Sequence, residues 1–145
     1  MRIIVDYGRG YGPLFDSGCF DQIQTSPEIE RHFPVEGNGQ IELELDWRQF
    51  DDLADAELRR AQLRMELHLA TPLEMSSYIV ARRGQVPDPL FALGQVWQTV
   101  EGDRYVVRYS VIEGRRILGL FWENGPEEMS ALGPKCYFAV VTPTS

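Results

Sequence analysis

The chain has 145 residues and a formal net charge of −8, and none of its apolar runs approaches the roughly 18 residues of a membrane span. An apolar fraction of 43% is that of a folding chain rather than a disordered one, and acidity without a Lys/Arg cluster disfavours a nucleic-acid backbone as partner. The length predicts a single globular domain over 1–145 that folds without a metal or a disulfide.

Residues 2–7 form a short apolar run and predict a buried strand. Gly8-Arg9-Gly10-Tyr11-Gly12-Pro13 breaks it, because three glycines and a proline in six residues do not hold an element interior. A phosphate cradle needs a helix N-terminus directly after such a loop. Pro13-Leu14-Phe15-Asp16 carries no helical pattern, so a plain turn is expected. Ser26-Pro27-Glu28-Ile29-Glu30 predicts a helix start with Ser26 as N-cap and Pro27 at the first position, and Pro34 stops it after one or two turns.

Gly37-Asn38-Gly39 is a turn feeding a strand over 40–47, where Ile41, Leu43, Leu45 and Trp47 alternate with Glu42, Glu44 and Asp46. The principal helix is expected from Gln49 to about Ala61, since Phe50, Leu53, Ala54, Leu58 and Ala61 share one face at 3.6 residues per turn. The period then changes to two. Leu63, Met65, Leu67 and Leu69 should be buried, while Arg64, Glu66 and His68 face water.

Thr71-Pro72 closes that strand, and Tyr78-Ile79-Val80 favours a further strand over 75–83. After a loop over 84–89 the chain predicts a meander: strands over 95–100, 104–112 and 117–122, joined by turns at Gly102-Asp103 and Glu113-Gly114. Asn124-Gly125-Pro126 opens a loop, and a final strand covers 136–141. The fold class is therefore α+β: a mostly antiparallel curved β-sheet of about seven strands, packed on one principal helix plus a short helix.

Cys19 and Cys136 have no CxxC neighbour and no His at metal-ligand spacing, so both are expected as free thiols. The opening Ile3-Ile4-Val5 is too short for a signal-peptide core, and a cytoplasmic chain is expected. Neither a cofactor nor a metal site is predicted, and no catalytic constellation stands out.

Two clusters carry the functional expectation. Glu42, Glu44 and Asp46 form an acidic stripe, spaced about 6–7 Å apart along one strand face; it reads either as a solvated face opposite Arg64 or as a surface for a basic protein partner. Trp97, Tyr105, Arg108, Tyr109 and Trp122 lie on the C-terminal strands, where aromatics either build core or, with one orienting charge, line a ligand pocket. The leading expectation is a non-catalytic domain that binds a small ligand or a protein. The alternative is a small hydrolase or isomerase using Glu66, His68, Tyr105 and Tyr109.

Overall fold

The computed structural model describes residues 1–24, 26–50, 68–122 and 136–143. In chain order these form β1 (Arg2–Asp6), α1 (Gly12–Phe15), β2 (Gln22–Ile23), α2 (Ser26–His32), β3 (Gln40–Phe50), β4 (His68–Leu69) and α3 (Pro72–Ala81). Strands β5 (Leu90–Gln98), β6 (Arg104–Ile112), β7 (Arg115–Trp122) and β8 (Cys136–Pro143) follow. The fold is α+β around one large sheet, ordered β1-β3-β8-β5-β6-β7-β2, with β4 on β8. Among the described residues no helix is long and apolar enough to cross a membrane.

The sheet is mixed rather than mostly antiparallel, because β5 runs parallel to β8 and β2 parallel to β7. Both parallel pairs join strands far apart in the chain. Hairpin spacing, which marks the antiparallel β6–β7 pair, carries no trace of them. That hairpin turns at Glu113 and Gly114, both at positive φ (51° and 77°), as a two-residue primed turn requires.

Period-two alternation sorts the strands onto two faces. Ile3, Val5, Leu43, Leu45, Ala92, Val107, Tyr109, Leu118, Ala139 and Val141 point to the side covered by the helices. Phe91, Leu93, Val106, Phe121, Cys136, Phe138 and Val140 form a second buried cluster on the other side, with Leu69. Cys19 belongs to the first cluster and Cys136 to the second; both are free thiols, and burial raises the pKa of each.

Several expectations are corrected. Gln49 and Phe50 continue β3 rather than opening a helix, and residues 51–67 lie outside the described residues, with the rest of that helix and most of the 63–69 alternation. In the remainder of that strand, Leu69 is buried and His68 exposed, as alternation requires. Pro13-Leu14-Phe15 belongs to a one-turn helix, with Phe15 and Asp16 donating to the carbonyls of Tyr11 and Gly12.

Residues 75–81 are helical, not extended. Thr71 caps α3 in a closed capping box: its hydroxyl accepts from the Glu74 amide at 3.3 Å, while the Glu74 carboxylate accepts from the Thr71 amide at 2.8 Å. Leu73, Met75, Ser76, Ser77, Tyr78 and Ile79 are all buried, so α3 has no polar stripe to reveal a 3.6-residue period. It ends in a Schellman arrangement, with Gly84 N–H on the Ile79 carbonyl, Arg83 N–H on that of Val80, and Arg83 itself at φ 54°.

A splay in the sheet positions the C-terminal aromatics. β8 pairs with β5 only at Tyr137 and Phe138, and farther along β4 takes that side at Val140 and Val141. The Gly94 amide donates to Ala70 O at 2.9 Å, and a Cβ on Gly94 would lie 2.7 Å from the same oxygen. Only glycine lets β5 cross there. The β5–β6 register then shifts between Ala92 and Trp97, which sets Trp97 opposite Tyr105.

Candidate functional site

Three neighbouring strands place an aromatic residue at the same level on the helix-side face. Trp97 of β5 faces Tyr105 of β6, which faces Trp122 of β7. Their rings stack across the strands: centroids are 5.1 Å apart for Trp97–Tyr105 and 6.3 Å for Tyr105–Trp122, with interplanar angles of 29° and 21°. His32, in the last turn of α2, extends the row. Its imidazole lies 3.7 Å from the Trp97 ring and within 6° of parallel. Gln95 fixes the chain leaving α2, donating at 2.8 Å to both Pro34 O and the Glu36 carboxylate.

Among the described residues the stack has one closed and one open end. His32 closes it beside β5. At the other end, β2 reaches β7 only beside Ile117 and Leu118, and Trp122 remains 39% exposed. His32, Trp97 and Tyr105 are half-buried. Each ring face between His32 and Trp122 is already matched by a neighbour, so the row is preorganised and offers its outer face and its edges.

The other expected pocket residues are placed differently. Tyr109 shares the helix-side face with Tyr105 but lies four residues along β6, about 13 Å away. It is fully buried, edge-on to Phe20 at 6.1 Å, with its hydroxyl 3.4 Å from Gly84 O. Burial pushes its phenol up to about 12. Arg108, one residue away, projects from the opposite face, with its guanidinium 5.2 Å from the Phe121 ring. Trp97, Tyr105 and Trp122 therefore converge, and Tyr109 and Arg108 do not join them.

The acidic stripe meets the chain's own cations. Arg2 lies 3.9 Å from Glu42 and 3.6 Å from Glu44, the Met1 amine 3.2 Å from Glu44, and Arg48 3.7 Å from Asp46. Glu66 lies outside the described residues, and His68 is exposed on β4. An open groove of about 280 Å³ lies away from the aromatic row, among Ile4, Asp6, Arg9, Leu14, Ser77 and Val80. The Asp6 carboxyl there is held below its usual range, chiefly by the Gln40 amide, with the Arg9 amide and guanidinium assisting. Among the described residues no three His, Cys, Asp or Glu side chains converge as metal ligands would.

His32 is the member of the row that sequence patterning does not nominate. It sits at the end of a short helix, and only tertiary placement of that helix end brings it to Trp97. Neither a family model, nor a curated protein, nor a solved structure matches this chain.

Proposed function

We propose that the chain is a non-catalytic binding domain whose ligand carries a planar aromatic ring, taken at the open end of the His32–Trp97–Tyr105–Trp122 row. The observation that carries this reading is a preorganised stack ending in a Trp122 that is 39% exposed. A ring added there meets an indole already held by its neighbours, so little ordering cost opposes binding. Stacking on an aromatic side chain contributes about 1–3 kcal/mol per ring in comparable sites. That magnitude, taken alone, gives modest affinity.

Thermal-shift and tryptophan-fluorescence screening against planar heteroaromatic compounds tests the reading, because a ligand bound only by the folded chain raises apparent stability. A hit should quench tryptophan emission, and Trp122→Ala should abolish both responses. Hits that survive Trp122→Ala and Trp97→Ala unchanged, or a screen without hits, would refute it.

A further inference from the structure

β1 ends the sheet, and its register shows which of its main-chain groups are free. Tyr7 N–H donates to Gly39 O and Leu45 N–H to Met1 O, each at 2.8 Å. The paired positions run from Arg2 opposite Glu44 to Asp6 opposite Gln40. Bonded and non-bonded pairs alternate along an antiparallel ladder, so the odd residues of β1 bond to β3. Arg2, Ile4 and Asp6 turn their N–H and C=O groups to the outer edge. Ile4 is 63% exposed and its main-chain groups have no partner among the described residues, while the 280 Å³ groove opens beside it.

The segment Arg2-Ile3-Ile4-Val5-Asp6 holds no proline and no bulge to blunt this edge. It is also complementary to itself. Laid antiparallel to a second copy about an axis through Ile4, it sets Arg2 opposite the partner's Asp6, Ile4 opposite the partner's Ile4, and Ile3 opposite the partner's Val5. Opposite charges then meet at both ends and apolar side chains in the middle. A parallel arrangement would instead set Arg2 beside the partner's Arg2. Each facing pair formed by Arg2, Ile4 and Asp6 would exchange two N–H···O bonds, from groups without strand partners among the described residues.

We propose that the β1 edge is a homodimer interface, joining the sheets of two copies through antiparallel β1 pairing centred on Ile4. The interface is isologous and uses up the edge it is built on, so association stops at two copies. The acidic side chains nearest the edge, Glu42 and Glu44, carry Arg2 between them and so do not confront the second copy unscreened.

The test is sedimentation at about 100 μM, above the micromolar Kd expected of an interface this small. The wild-type chain should sediment as a dimer, and Arg2→Asp and Asp6→Arg should each be monomeric. An equimolar mixture of those two variants should regain the dimer, since every end-pair in the mixed species is then opposite in charge. Ile4→Pro should also be monomeric while keeping its circular dichroism, because the N–H it removes makes no bond to β3. A monomeric wild-type chain would overturn the proposal and leave the edge to a strand of another protein. So would a dimer that survives all three substitutions, or variants that fail to complement when mixed.

Discussion

Tyr105 and Tyr109 stand on the same strand and the same face, yet their surroundings differ completely. Tyr109 is wholly buried in the helix-side core, with Phe20 against its ring. Tyr105 is half-buried, and its ring is held by Trp97 and Trp122 rather than by a closed core. Identical side chains four residues apart thus serve different ends. The covered end of the face stabilises the fold, and the uncovered end presents a surface. Burial by neighbouring segments, not residue type, separates core from candidate site.

The largest expected effect tests the covered end. Tyr109→Ala should destabilise the chain by about 3–5 kcal/mol, the range for truncating a buried aromatic, as measured by urea titration. Alkaline pH probes the same residue more gently. Its phenol titrates near 12 in the fold against an ordinary 10, so between those values the unfolded chain loses the proton first. The stability Tyr109 contributes is therefore full below about pH 10 and is lost as pH rises through about 12. Urea midpoints at pH 9 and near 12 should converge less steeply toward unfolding for Tyr109→Phe than for the wild-type chain.

At the uncovered end, Trp122→Ala should cost about 1–3 kcal/mol, less than a fully buried aromatic because 39% of it is already in water, while removing the ligand response. A smaller gain is expected from Arg83→Gly. Arg83 adopts φ 54° at the end of α3, just before Gly84, whose carbonyl lies beside the Tyr109 hydroxyl. Glycine relieves that left-handed strain but loosens the unfolded chain, and the net gain should be about 0.5 kcal/mol in thermal unfolding with ligand response unchanged.

How much of this was legible in the chain depends on where the physical signal resides. Alternation is local, so the two faces of β3 and β6, the turn at Glu113-Gly114, and the placement of Arg108 opposite Tyr105 and Tyr109 could all be read from spacing. Parallel pairing of β5 with β8 joins distant segments and has no local signature. Helix α3 is buried on nearly every side, so periodicity missed it, although Thr71-Pro72 followed by Glu74 is a legible capping signal. In the site, Trp97, Tyr105 and Trp122 were legible as an aromatic group on predicted strands. Their separation from Tyr109 was not, because it depends on which distant segments, such as that of Phe20, pack over each end of the strand. His32 reaches Trp97 only through tertiary packing.

The division between the two ends of β6 is tested most directly by comparing Tyr105→Ala with Tyr109→Ala in urea unfolding under one set of conditions. Tyr105→Ala should lose about 1–2 kcal/mol, the share of a half-buried, stacked ring, and Tyr109→Ala at least about 2 kcal/mol more. Equal losses, or a larger loss for Tyr105→Ala, would contradict the assignment of Tyr109 to the core and of Tyr105 to a presented surface.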